Sequence, residues 1–118
     1  MPDPVIVSAP GLSLSISTWP ETVVAHCRGS FTFETCAFVK TQIKDRLPEK
    51  GRMVLDLSEV TRMDSSGLGT IVGLYLSAKR RNCELDLINL NKQIRDLLAI
   101  SNLLSIFETV GRHGMRMP

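Results

Sequence analysis

Val54-Leu55-Asp56-Leu57-Ser58, continuing through Arg62-Met63 into Asp64-Ser65-Ser66-Gly67-Leu68-Gly69, decides how this chain folds. The apolar run Met53 to Leu57, with a single acidic residue inside it, reads as a central parallel strand buried on both faces. A tight turn is expected next, and then a helix opened by Asp64 and Ser65. Asp and Ser cap helix N-termini because their side-chain oxygens accept from N–H groups that have no partner inside the helix. The same N–H groups, at the positive end of the helix dipole, favour an anion or phosphate on or beside Ser65. The spacing leaves open whether Asp64 and Ser65 only cap the helix or also carry a function.

Working outward, Leu12, Leu14 and Ile16 alternate with serines, and Val23, Ala25 and Cys27 alternate with Val24, His26 and Arg28, which predicts two half-buried strands. Ser17 to Glu21, containing Pro20, is the turn between them, and Trp19 beside it reads as exposed or partly packed. Cys36, Val39, Ile43 and Leu47 recur at helical spacing up to Pro48, which ends that helix. After the central strand, a helix spans Ser66 to about Arg81, Leu85, Leu87 and Ile88 form a further strand, and Ile94, Leu97, Leu98 and Ser101 mark one more helical face. Strand, strand, helix, strand, helix, strand, helix is an α/β order.

The helix after the serines has two faces of different character. Leu68, Ile71, Val72, Tyr75 and Ala78, with Leu74 and Leu76 at the edges, form the face expected against the sheet. Ser66, Thr70, Gly73 and Ser77 make a stripe of small residues on the other side. Such a stripe either packs closely on a neighbouring element or forms a smooth docking shelf leading away from Ser65, and both readings stand at this point.

The chain has 118 residues, which fits one domain, and its formal charge of +2 comes from dispersed Lys and Arg. Lys79-Arg80-Arg81 is the densest basic run and reads as a solvated helix end, so no nucleic-acid stripe is indicated. Cys27, Cys36 and Cys83 are odd in number and contain no C-x-x-C, which argues against a disulfide framework or zinc site and for core thiols in a reducing compartment. Residues 1–10, with Pro2, Pro4 and Pro10, and residues 111–118 read as loose tails around a domain at 11–110. No apolar run is long enough to span a bilayer, so a cytoplasmic protein without membrane insertion is expected.

Catalytic constellations are thin. Ser65 is not framed by G-x-S-x-G, and the histidines are His26, on a strand, and His113, in the expected tail. Asp56 and Asp64 are separated by a strand end and a loop with no third group to complete an acid–base site. The chain therefore reads as a non-enzyme, with no cofactor and no metal ligand set. The loop lacks G-x-x-x-x-G-K-[ST] and its lysine, which leaves only weak, reversible nucleotide or phosphate sensing as a ligand-based alternative.

The quoted residues resemble the STAS family, specifically its small free-standing anti-sigma factor antagonists, whose D-S-[ST]-G-L-G loop matches Asp64 to Gly69. Gly29, the strand Met53 to Leu57, Gly73 and Ile100-Ser101-Asn102-Leu103 fall in the family's order, so the resemblance covers most of the chain. It implies a single STAS-like α/β domain, a mixed sheet of four to five strands with packed helices. It further implies Ser65 as phosphoacceptor, Asp64 as its neighbour and recognition element, and Ser66, Gly67, Leu68 and Gly69 as the opening of a helix whose Thr70, Gly73 and Ser77 continue the partner-binding surface. The implied partner is an anti-sigma serine kinase of the ATPase-fold type, bound when Ser65 is unmodified and released when it is phosphorylated, with a phosphatase as a further partner. Two positions depart from the pattern: Thr32 stands where the family usually has Asp, and Asn102 replaces the Gly of a Ser-Gly-Leu. Related domains also serve as adaptor subunits of lipid-transport or stress-sensing assemblies, which is the alternative the resemblance leaves.

Overall fold

Apolar side chains at every second position give strands one buried face, and in the computed structural model, which describes residues 3–100, 108–110 and 114–116, they do so throughout the amino-terminal third. The chain forms β1 (Val5–Ala9), β2 (Leu12–Thr18), β3 (Thr22–Phe31), α1 (Cys36–Lys44), β4 (Arg52–Met63), α2 (Ser65–Arg80), β5 (Glu84–Ile88), α3 (Lys92–Ile100), β6 (Glu108–Val110) and β7 (Gly114–Arg116). The strands lie in one sheet in the order β1-β2-β3-β4-β5-β7-β6. β1, β2 and β3 are antiparallel neighbours, while β3, β4 and β5 run parallel through helical crossovers. The mixed sheet expected from the sequence is thus found, its strands β1 to β5 extended by two three-residue strands.

The expected amino-terminal tail needs correction. Val5–Ala9 is a strand, with Val5 opposite Ile16, Val7 opposite Leu14 and Ala9 opposite Leu12. Pro10-Gly11 turns the hairpin, Gly11 at φ 89°, the conformation that a Pro-Gly pair supplies at the centre of a type II turn. Residues 111–118 are corrected in part, since Gly114–Arg116 pairs antiparallel with β5.

The core lies between one sheet face and the helices α1 and α2. Leu14, Ile16, Ala25, Cys27, Leu55, Leu57, Leu85 and Leu87 are buried on the sheet side, and Val39 and Ile43 of α1 and Leu68, Ile71, Leu74 and Ala78 of α2 cover them. Burial pushes the Cys27 thiol up to about 12, with nearby Asp56 adding to the effect. Cys83 is buried too, but Cys36, expected in the core, is only half-buried. Helix α1 stops at Lys44, before Pro48, and Leu47 reaches the core from the turn that follows. In α2, Leu74 is fully buried whereas Leu76, expected at the edge of the buried face, is 47% exposed. Ile94 and Leu98 of α3 are buried as their spacing predicts, while Ser101, Asn102, Leu103 and His113 lie outside the described residues.

Candidate functional site

The central strand does not end in a turn after Leu57, as the sequence had indicated, but continues to Met63. Leu57, Val60 and Met63 are all buried at three-residue spacing, which a regular strand cannot achieve. Two register shifts against β3, between His26 and Arg28 and between Gly29 and Ser30, restore the alignment. The strand thereby delivers Asp64, in extended conformation, directly to the start of α2.

Asp64 holds two elements together. Its Oδ1 accepts from the backbone N–H of Ser66 (2.9 Å) and Gly67 (3.1 Å), capping the helix, and its Oδ2 accepts from the N–H of Phe33 at 3.1 Å. The loop carrying Phe33 is fixed from the other side by Thr35, whose buried hydroxyl donates to the Ser30 carbonyl (2.7 Å) and accepts from the Thr32 N–H (3.0 Å). The outcome is a rigid corner at which Ser65 is exposed and Phe33, 76% exposed, stands beside the cap. Although desolvation raises it, the N–H donors of Gly67, Phe33 and Ser66 hold the Asp64 carboxyl below its ordinary value.

A depressed carboxylate stabilises the fold at pH above its unfolded value of about 3.9, and the contribution is lost as pH falls through the folded value. Asp64→Ala should therefore cost about 1 kcal/mol at neutral pH, the deficit narrowing below roughly pH 4. Urea unfolding of both proteins across that range checks it, and a deficit that stays constant in acid would contradict the cap.

The occupied cap also changes the anion reading. Oδ1 of Asp64 already takes the Ser66 and Gly67 donors that a bound phosphate would have needed. A free nucleotide or phosphate thus meets a carboxylate where open N–H groups had been expected. A phosphate attached covalently to Ser65 needs no such pocket, because Ser65 faces solvent.

The exposed face of α2 is not the stripe of small residues. Thr70 and Ser77 are buried, at 9% and 8% exposure, and the Thr70 hydroxyl donates to the Ser66 carbonyl at 2.9 Å. Helix α1 packs on α2, and the burial of Thr70 and Ser77 takes both out of any docking shelf, whereas Gly73 has open space where a Cβ would stand and is not explained by close packing. Of that stripe only Ser66 and Gly73 are partly exposed. Gly67 and Leu68 are buried as well, so their part is to seat the helix. At 100° per residue, Ser65, Gly69, Val72 and Leu76 share the outward direction, and these are exposed except for half-buried Val72. Lys79 borders this face with its ammonium 5.9 Å from the centre of the Tyr75 ring.

Sequence reasoning missed Phe33 and Leu76. Leu76 shares the helical face of Ser65, but the apolar periodicity places it at the edge of the buried face, and only packing decides that it is exposed. Phe33 was hidden because Phe31-Thr32-Phe33 continues the strand alternation, which would bury both aromatics, while the chain is turned away by the Thr35 and Cys36 N–H groups donating to the Thr32 carbonyl together with the Thr35 hydroxyl and Asp64 bonds.

A second polar group sits on the sheet face opposite α1 and α2. His26 Nδ1 lies 3.2 Å from Asp56 and its Nε2 3.3 Å from Glu59, which also pairs with Arg28 at 3.1 Å. Asp56 Oδ1 accepts from the Ser58 N–H and the Asn89 amide. Desolvation raises the Asp56 carboxyl, and the bonds from Ser58, Asn89 and His26 more than offset it, leaving the group below its ordinary value. Asp56 and Asp64 share no partner among these bonds, so they do not form a carboxylate pair. Among the described residues no group of three or more His, Cys, Asp or Glu is arranged to hold a metal ion.

The family model for the STAS domain matches residues 13–113. The chain belongs to the STAS domain family. An anti-sigma-B factor antagonist of Listeria monocytogenes is 43% identical to it over 60 residues, covering 51% of this chain and 53% of the relative, about half of each. An anti-sigma factor antagonist from Mycobacterium paratuberculosis superposes with a TM-score of 0.70 at 18% identity, covering 84% of this STAS chain and 86% of that structure. The Bacillus cell fate determinant SpoIIAA, in its phosphorylated form, gives a TM-score of 0.61 at 18% identity over 78% of this chain and 86% of its own. These structures share the STAS fold. No helix among the described residues is long and apolar enough to cross a membrane.

Proposed function

We propose that this STAS domain is an anti-sigma factor antagonist that binds an anti-sigma serine kinase when Ser65 is unmodified and is switched off by phosphorylation of Ser65. The observation that carries the reading is the exposed Ser65 at the first position of α2, fixed by the Asp64 cap and flanked by Phe33, Gly69 and Leu76. Support also comes from the Listeria relative's designation as an antagonist and from the phosphorylated SpoIIAA structure. In this reading the domain is the kinase's substrate rather than a catalyst, and it acts in the cytoplasm. A phosphatase resets it. Thr32, half-exposed in the loop beside Asp64, adds no charge there, so apolar contact through Phe33 carries more of the recognition.

The test incubates the purified domain with ATP and each ATPase-fold anti-sigma kinase of the source organism, and locates phosphate by mass spectrometry. Modification at Ser65, abolished by Ser65→Ala, supports the reading, and modification elsewhere or by none of the kinases overturns it. Phe33→Ala should weaken kinase binding about thirtyfold, the scale of a central aromatic anchor, while the melting temperature holds because the ring is exposed. Calorimetry checks this, and unchanged affinity would remove Phe33 from the interface.

A further inference from the structure

Strand β1 is an edge strand that lacks the usual protections. It pairs with β2 on one side, and among the described residues no strand pairs with its other edge. Natural edges are blunted by charge, proline or bulges, yet Val5-Ile6-Val7-Ser8-Ala9 contains no charged residue and no proline, and its register with β2 is unbroken. Val5 is 54% and Ile6 70% exposed. Pro4 and Pro10 bracket the strand symmetrically about Val7.

We propose that two copies of this domain associate by antiparallel pairing of β1 with β1 about a two-fold axis at Val7. In that register Val5 faces Ala9 of the partner subunit and Ile6 faces Ser8 of the partner subunit, with each Val7 meeting its own copy. Pro4 then lies opposite Pro10 of the partner subunit, outside the ladder. Any shifted register places a proline, which has no N–H to donate, against a residue of the strand. The palindromic bracket is what selects a second copy over an unrelated extended segment. Val5, Val7 and Ala9 stand on the face that carries buried Ile16, Leu14 and Leu12, so the pairing carries the apolar layer across the junction. The contact is isologous and closes as a dimer. Helix α2 lies over β4 and β5, away from β1, while Pro10 and Gly11 at the end of β1 line one cleft with Phe33 and Asp64, so the contact ends next to the Asp64 corner. One short strand pair is smaller than a standard interface, and a dissociation constant in the micromolar range or weaker follows.

Sedimentation equilibrium of the full chain from micromolar to millimolar concentration tests this. A monomer–dimer equilibrium is expected for the wild type. Ile6→Lys combined with Ser8→Lys sets like charges opposite each other at both cross-strand pairs and should weaken the dimer about tenfold or more. Ile6→Glu combined with Ser8→Lys sets opposite charges there and should keep it. Both positions are exposed, so the fold should persist, and thermal melting verifies that. As a check free of substitutions, amide exchange of β1 in the wild type should slow as concentration rises. A wild type that stays monomeric to millimolar concentration, equal behaviour of the two double variants, or β1 exchange independent of concentration would overturn the proposal.

Discussion

Ser65→Asp should lower the affinity for the proposed anti-sigma kinase partner about a hundredfold or more, while Ser65→Ala should bind within a few-fold of wild type. The hundredfold loss needs only about 2.7 kcal/mol. A new carboxylate at position 65 would stand beside the Asp64 carboxylate, and the Ser66 and Gly67 donors that could neutralise it are already bonded to Asp64 Oδ1. In the free protein, water and the helix dipole accommodate the charge. At an interface that water is removed, and the uncompensated charge sets the cost. Phosphorylation carries roughly −1.5 to −2 charges and should act more strongly than Asp. Because Ser65 is exposed, both variants should unfold within about 0.5 kcal/mol of wild type, which separates loss of binding from loss of fold. Calorimetric titration of the three proteins decides the matter, and equal binding by Ser65→Asp would point to a constitutive adaptor.

Gly67→Ala should destabilise the protein by about 1–3 kcal/mol, although alanine is the better helix former. A Cβ at Gly67 would overlap the backbone carbonyl oxygen of Phe31 and come within 3.0 Å of the Met63 side chain. Backbone cannot yield as a flexible side chain does, so the first turn of α2 must move away from the end of β3. The Asp64 bond to Phe33 would be strained by the same movement, and kinase affinity should fall with stability. Gly69 and Gly73 supply the contrast, since nothing lies within 4 Å of a Cβ at either. Alanine there should stabilise by about 0.5–1 kcal/mol. Urea denaturation of the three variants measures the difference, and a Gly67→Ala protein as stable as wild type would show that the approach of α2 to β3 is looser than the structure has it.

Most of the element order was legible because it rests on local periodicity. The alternation at Leu12 to Ile16 and Val23 to Cys27, the helical spacing of Val39 and Ile43, and the apolar run at Met53 to Leu57 each need only their own residues to be read. Asp64 was legible as a cap for the same reason. The errors fall where a residue's state depends on a distant partner. Val5–Ala9 reads as a tail because prolines flank it, although Pro10-Gly11 is itself a turn signal. The length of β4 was hidden because its buried residues change to a spacing of three, which only two shifts against β3 make compatible with a sheet.

The sequence by itself determined the class of fold, the start of α2 at Asp64 and the position of Ser65 on it, because capping and period are properties of a short stretch of chain. Only the tertiary structure decided which side of α2 faces water. The small-residue stripe stays a plausible docking face until the fold is in place, when α1 packs on α2, Thr70 and Ser77 are buried, and Gly69 and Leu76 are left outside. It also decided that Phe33 joins Ser65, since the bond from its N–H to Asp64 spans 31 positions of chain and closes only when β3 and β4 lie side by side.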